Sequence, residues 1–118
     1  MEDFLLQKDS LLSKDLLESF RRIAQKTPKE VCCGLIAESN KSLELIECNN
    51  ESNIPAYEFI IDPQSFIENK VKYVYHSHVD SPPFPSKADK LYSDELCVPF
   101  LIYSLTEDSF FLYENVSV

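Results

Sequence analysis

Long apolar runs, tryptophan and glycine are the features this sequence most lacks: it has no Trp and one Gly in 118 residues. A membrane-spanning helix needs roughly 20 consecutive apolar residues, and no stretch approaches that length, so we expect no membrane segment. A single glycine also leaves few flexible hinges. The start, Met1 to Leu6, is acidic and holds too short an apolar run for a signal peptide. We therefore expect a soluble, cytoplasmic protein.

Positive charge is also scarce, because 11 Lys and Arg residues face 20 Asp and Glu residues and give a net charge of -9. The longest basic cluster is the pair Arg21-Arg22. Nucleic-acid affinity depends mainly on Lys and Arg side chains that neutralise phosphates. We therefore expect no nucleic-acid partner, whereas a neutral or basic peptide is easier to accommodate.

Paired cysteine motifs are missing as well. The four cysteines, Cys32, Cys33, Cys48 and Cys97, form no C-x-x-C pair. Buried free thiols in a reducing compartment are the favoured interpretation, and a disulfide framework or a thiolate metal site is the alternative.

The composition that is present supports a folded core, since 44% of the residues are hydrophobic and 12% are aromatic. A chain of this length predicts a single domain, residues 1–118. Strands alternate with helices and end in a hairpin, which predicts an α/β fold with a mixed central sheet flanked by helices. The predicted helices are 13–25, 62–69 and 86–96, and the predicted strands are 31–37, 43–48, 57–61, 71–75, 98–105 and 109–113.

The only two histidines, His76 and His78, stand two residues apart directly after the strand predicted at 71–75. In extended backbone, residues two apart face the same side, so both imidazoles can converge on one point. Two structural histidines that hydrogen-bond loop carbonyls are the alternative, and the pair by itself does not decide between them.

A second pattern follows seven residues after His78, where Ser86-Lys87-Ala88-Asp89 begins a predicted helix. The S-x-x-D spacing is typical of a capping box, in which Asp89 turns its carboxylate back towards the strand end. Two imidazoles and one carboxylate leave a fourth tetrahedral position open, as in catalytic zinc sites. A base for the zinc-activated water is then needed, and Glu30 is the best candidate, with an ordinary solvated glutamate as the alternative.

Together these residues resemble the JAMM motif of the JAB/MPN metallopeptidases, a Glu ahead of a Gly-Leu strand followed by H-[ST]-H-x7-S-x-x-D. The chain is most similar to JAB domains of phage tail tip assembly proteins, in segments 28–36, 53–63, 76–78 and 98–104. The resemblance implies a cytidine-deaminase-like fold and Zn²⁺ held by His76, His78 and Asp89. It further implies that Glu30 is the general acid and base and that Ser86 stabilises the oxyanion.

The function implied by the resemblance is hydrolysis of a peptide or isopeptide bond in a protein or peptide substrate. Phage tail tip proteins are the implied partners, and the host cytoplasm or the virion is the implied location. The alternative is a catalytically weak assembly module of a tail tip that keeps the metal site. Related phage proteins often carry a second, cysteine-peptidase domain, for which this sequence leaves no room, so we expect a separately encoded partner or independent action.

One departure from the family pattern concerns Glu30. The family spaces its glutamate as E-x-x-G, whereas this chain reads E-x-x-x-G from Glu30 to Gly34. Alignment on Cys-Cys-Gly-Leu would put Val31 at the catalytic position, and a shift of one residue turns a strand side chain to the other face. We expect a β-bulge near Val31 to restore the direction of Glu30.

Overall fold

Five strands form one mixed sheet in the order β2-β1-β3-β4-β5 in a computed structural model that describes residues 12–114. Strands β3 and β4 run parallel, and every other neighbouring pair is antiparallel. The strands are β1 Cys33–Ser39, β2 Ser42–Cys48, β3 Val71–His78, β4 Phe100–Ser104 and β5 Ser109–Tyr113. The predicted α/β fold with a mixed central sheet is confirmed.

Three helices accompany the sheet: α1 Lys14–Lys26, α2 Pro63–Glu68 and α3 Lys87–Leu96. Each begins at a residue whose side chain accepts a hydrogen bond from a backbone amide of the first turn. These capping residues are Ser13, Asp62 and Ser86. All three predicted helices are therefore confirmed, with ends that differ by at most one residue.

The sheet is covered on both faces, which explains why β1, β3 and β4 are apolar on both sides. Along β3, Tyr73 and Tyr75 join the core beneath α1, together with Phe20. Val74 joins the opposite core, together with Phe59. Because side chains alternate along a strand, His76 and His78 share the face of Val74.

The observed strands β1, β2 and β4 differ from the predicted ones by one or two residues at their ends, and larger differences occur in β3 and in the segment 57–61. β3 continues through His78, so the two histidines lie within the strand, where β4 pairs with them at Ile102 and Ser104. The segment 57–61 was predicted as a strand and that prediction is wrong, since it joins no sheet. Its apolar residues satisfied the strand pattern, but its Ile60 amide donates to an asparagine side chain instead of a neighbouring strand.

Residues 1–11 and 115–118 lie outside the described residues, and the predicted single domain 1–118 stays a prediction. Between residues 12 and 114, no helix combines the length and the apolar character that crossing a membrane requires. Within that same part of the chain the four cysteines are free thiols, as expected, but only Cys33 is buried: Cys32 and Cys48 are partly exposed and Cys97 is exposed.

Candidate metal centre

Three side chains from two elements meet at one end of the sheet. His76 and His78 lie at the carboxyl end of β3, and Asp89 lies in the first turn of α3. One potential ligand atom from each lies within 4.8 Å of the other two, and no other group of three such residues occurs in residues 12–114. The structure therefore brings all three predicted ligands together.

Asp89 approaches the two imidazoles with different oxygens. Its Oδ1 lies 3.1 Å from His76 Nε2, and its Oδ2 lies 2.9 Å from His78 Nε2. The second contact is a hydrogen bond. The first lacks hydrogen-bond alignment, since His76 Nε2 finds no hydrogen-bond partner among the described residues. His76 Nε2 and Asp89 Oδ1 thus lie close together without a hydrogen bond between them.

His76 is held by aromatic packing. It is 1% exposed, and Phe59 stacks on its ring at a centroid distance of 4.4 Å and an interplanar angle of 23°. Phe100 meets the same ring edge-on at 5.4 Å. Its Nδ1 is also buried, with no hydrogen-bond partner in the part of the chain that the structure describes. Packing, and not a polar contact, therefore sets the orientation of this ring.

His78 is oriented by a backbone carbonyl. Its Nδ1 lies 2.7 Å from the carbonyl oxygen of Pro82, and because a carbonyl oxygen only accepts, Nδ1 carries a proton. Nε2, which donates to Asp89 Oδ2, is then the nitrogen that could bind a metal once its own proton is lost. Histidines that bind metals commonly donate their second ring N–H to such a carbonyl. The proline-rich loop between β3 and α3 thus selects the ligand nitrogen.

The capping box of α3 orients the third ligand. The Asp89 amide donates to Ser86 Oγ at 3.0 Å, and the Ser86 amide donates to Asp89 Oδ2 at 3.0 Å. The carboxylate is therefore turned back over the helix start, as predicted from the S-x-x-D spacing.

The pKa values of the three groups follow from burial and from each other. Burial lowers the pKa of His76 in spite of the nearby carboxylate. Burial acts in the same direction on His78, but its hydrogen bonds to Asp89 and Pro82 outweigh burial and raise its pKa. Burial opposes ionisation of Asp89, yet the imidazoles and the Ser86 amide hold its pKa far below the usual range. An ionised carboxylate beside a neutral His76 is the state in which both can bind a metal.

The donor set fits zinc. Tetrahedral zinc with ligand distances of about 2.0–2.2 Å requires ligand atoms roughly 3.4 Å apart, and His76 Nε2 and Asp89 Oδ1 are 3.1 Å apart. A cation would also satisfy the buried His76 Nε2, which has no hydrogen-bond partner within residues 12–114. Two nitrogens and one carboxylate leave a coordination position for water or substrate.

A cavity of about 560 Å³ opens over the three side chains. Ser86 lines it, as do two further carboxylates, Glu58 and Asp80. The remaining lining residues come from the segments before β1, before α2 and after β3: Lys29, Val31, Ala56, Tyr57, Phe59, Ser77, Val79 and Ser81. Four of the five predicted site residues therefore face one cavity.

The fifth predicted residue, Glu30, does not line this cavity. Glu30 is exposed and borders a separate depression beside Cys48, whereas Val31 lines the cavity of the histidines. The predicted bulge near Val31 is not found in residues 12–114, where the register shift of β1 against β3 falls between Ile36 and Ala37. Cys33 pairs with His76 in the ladder, so Val31 continues on the histidine face and Glu30 is one residue out of phase.

Comparison with known proteins identifies the family of this chain. A family model described as prokaryotic homologs of the JAB domain matches residues 13–113. The chain belongs to this family. The tail tip assembly protein K of Escherichia phage N15 is 31% identical to this JAB domain over 88 residues, which are 71% of the chain and 36% of that protein. The JAB domain thus spans little more than a third of that relative's length.

Solved structures share the fold of this JAB domain. A crystal structure of AF2198, a JAB1/MPN domain protein from Archaeoglobus fulgidus, aligns with a TM-score of 0.59 and 22% identity over 84% of this chain and 83% of that one. The solution structure of DSY2949 from Desulfitobacterium hafniense aligns with a TM-score of 0.66 and 22% identity over 85% of this chain and 78% of that one. The solution structure of a protein from Salinibacter ruber aligns with a TM-score of 0.60 and 21% identity over 89% of this chain and 81% of that one. Identities this low establish the JAB fold alone.

Sequence reasoning missed three residues that shape the centre of this JAB domain. From the sequence, Phe59 was predicted only as part of a strand, and Pro82 and Asn50 were given no role. Asn50 uses all four hydrogen bonds of its amide group to tie the segment before α2 to the segment before β1. No local pattern predicts that Phe59 stacks on His76 or that Asn50 bonds Val31, because these partners are distant in sequence.

Proposed function

We propose that this JAB domain is a zinc-dependent hydrolase of a peptide or isopeptide bond that acts in phage tail assembly or processing. The observation that carries the proposal is the convergence of His76, His78 and Asp89 at the base of an open cavity. The donor set is that of catalytic zinc sites, in which the metal polarises a carbonyl and lowers the pKa of water.

The chain's own residues support this chemistry in separate ways. The Pro82 carbonyl keeps the Nδ1 of His78 protonated and its Nε2 free for the metal. Ser86 lines the cavity next to Asp89, and we assign it the stabilisation of the oxyanion that develops on the scissile carbonyl. The lining also includes the exposed Tyr57, which offers an aromatic surface to a polypeptide substrate.

The tail context rests on the relative from phage N15, which is named for tail tip assembly. We propose that tail tip proteins are the partners or substrates of this chain, in the host cytoplasm or on the virion. The net charge of -9 favours a partner segment that is neutral or basic over an acidic one.

Zinc binding is the first test of the proposal. We expect elemental analysis of the purified protein to find about one zinc per chain. We expect His78→Ala to lose that zinc, because it removes one of three protein ligands. Asp80→Asn is the matched control: Asp80 lies two residues after His78 but outside the ligand group, so the variant should keep its zinc. Full zinc in His78→Ala would contradict the ligand assignment.

A catalytically weak assembly module that keeps the metal site is the second candidate. The observation that favours it is the placement of Val31, and not Glu30, at the cavity. Incubation of the zinc-loaded protein with a phage tail tip protein separates the two candidates. New termini found by mass spectrometry, and lost with EDTA, would support hydrolysis. A stable complex without cleavage would support the assembly module.

A further inference from the structure

A hydrolytic zinc centre needs a base near the attacking water, and the cavity offers two carboxylates besides Asp89. These are Glu58, before α2, and Asp80, after β3. Glu30 does not line this cavity and faces the depression beside Cys48. The choice of base therefore depends on which of the two cavity carboxylates is held in a defined position.

The backbone at Glu58 is fixed relative to the metal ligands. The next residue, Phe59, is 6% exposed and stacks on His76. Asn50 Nδ2 donates to the Glu58 carbonyl at 2.9 Å and to the Val31 carbonyl at 3.0 Å. These contacts tie Glu58 both to a ligand ring and to the chain that leads into β1.

The carboxylate of Glu58 is fixed as well. Ser52 Oγ donates to Glu58 Oε2 at 2.8 Å, and Ser52 is itself only 8% exposed. The Ile54 amide donates to the same hydroxyl at 3.0 Å, which holds the hydroxyl proton towards Glu58. Glu58 and Asp80 are both exposed, but the Asp80 carboxylate accepts no hydrogen bond from any residue between 12 and 114. Only Glu58 combines a place at the cavity with a defined carboxylate orientation.

We propose that Glu58, and not Glu30, is the general base of this JAB domain, an inference that rests on the proposed hydrolytic function. The Glu58 carboxylate accepts a proton from water as the water oxygen bonds to the carbonyl carbon of the substrate. When the carbon–nitrogen bond breaks, the same proton passes to the leaving nitrogen. The products are a carboxylic acid and an amine, and the Glu58 carboxylate is regenerated.

Cobalt(II) in place of zinc gives a test that needs no substrate. Its visible spectrum changes when a bound water loses a proton, between about pH 5 and about pH 9. An anion close to the centre disfavours that loss, so Glu58→Gln should lower the spectral midpoint by at least about 0.5 pH units. The other titratable groups that line the cavity, which stay the same in this variant, are Lys29, Tyr57, His76, His78, Asp80 and Asp89.

Three further variants make the test specific. Glu51→Gln is the matched control, since Glu51 belongs to the same loop but does not line the cavity, and it should titrate like the wild type. Glu30→Gln and Asp80→Asn represent the competing bases. Cobalt content and far-ultraviolet circular dichroism, measured for every variant, should match the wild type and show that the fold and the ligands are intact.

Each outcome decides the matter. A lowered midpoint in Glu58→Gln alone supports the proposal. An unchanged midpoint in Glu58→Gln, with or without a shift in Glu30→Gln or Asp80→Asn, overturns it while the metal centre stands. A wild-type protein whose cobalt spectrum does not respond to pH overturns the assignment of Glu58 but not the proposed function. A wild-type protein that binds no cobalt overturns both.

Discussion

The imidazole rings of His76 and His78 are oriented by different kinds of neighbour. A backbone carbonyl orients His78, so substitutions of the Pro82 side chain leave that contact available. Phe59 orients His76 by stacking, and no polar group among the described residues supports its Nδ1. Loss of the Phe59 ring would therefore affect His76 before it affects His78.

Gly34 is the one glycine, and its place in β1 leaves no room for a side chain. A Cβ at this position would overlap the Ile46 carbonyl oxygen on β2 and the ring and hydroxyl of Tyr75 on β3. We expect Gly34→Ala to lower the free energy of unfolding by about 3 kcal/mol, the upper range for overpacking, because backbone cannot move aside as a side chain can. Urea denaturation followed by circular dichroism measures the change.

Ser39→Ala is the control for this substitution, because Ser39 ends the same strand in an exposed position. It should change the unfolding free energy by less than about 0.5 kcal/mol. Equal stability of Gly34→Ala and the wild type would mean that β1 and β2 are farther apart than described.

Helix starts serve two purposes in this fold. Ser13 and Ser86 both accept a hydrogen bond from the first turn of a helix, but only the helix that begins at Ser86 carries a metal ligand. The reciprocal bond from the Ser86 amide to Asp89 links the stability of α3 to the orientation of its carboxylate.

This difference between the helices predicts different effects of two equivalent substitutions. Ser13→Ala and Ser86→Ala should each lower the free energy of unfolding by about 1 kcal/mol, the usual cost of a lost N-cap. Ser86→Ala should also weaken zinc binding, because Asp89 is less firmly oriented, whereas Ser13→Ala should not. Competition with a chromophoric chelator measures the zinc affinity, and equal affinities of the two variants would contradict a role for the capping box in the centre.

The complete sheet brings the centre together. Because β3 and β4 are parallel neighbours, α3 must carry the chain from the carboxyl end of β3 back to the amino end of β4. The start of α3 therefore lies at the carboxyl end of β3. The ligands thus come from a strand and a helix that are both packed into one core. A metal bound there would stabilise the folded state and not the unfolded state, in which these residues are apart.

Zinc should therefore raise the melting temperature of the whole domain. A free zinc concentration about 100 times the dissociation constant adds about 3 kcal/mol, which corresponds to a rise on the order of 10 °C for a domain of this size. Calorimetry with added zinc and with EDTA measures the shift. His78→Ala should show no shift, and a full shift in that variant would place the zinc elsewhere.

Local patterns in the sequence were sufficient for the three helices, for five of the six predicted strands and for the convergence of the three predicted ligands. The H-x-H spacing in a strand and the S-x-x-D spacing at a helix start each set the direction of side chains over a few residues. Those directions survive in the folded chain, and His76, His78 and Asp89 converge as expected.

Tertiary structure decided the rest, because contacts between distant segments control it. The segment 57–61 has the composition of a strand, but its amides and carbonyls are engaged by Asn50 and Tyr92. The ladder between β1 and β3 sets which of Glu30 and Val31 faces the histidines, and a register of one residue cannot be read from composition. Spacing along the chain thus identified the three side chains that converge, whereas strand pairing determined which residues before β1 face them.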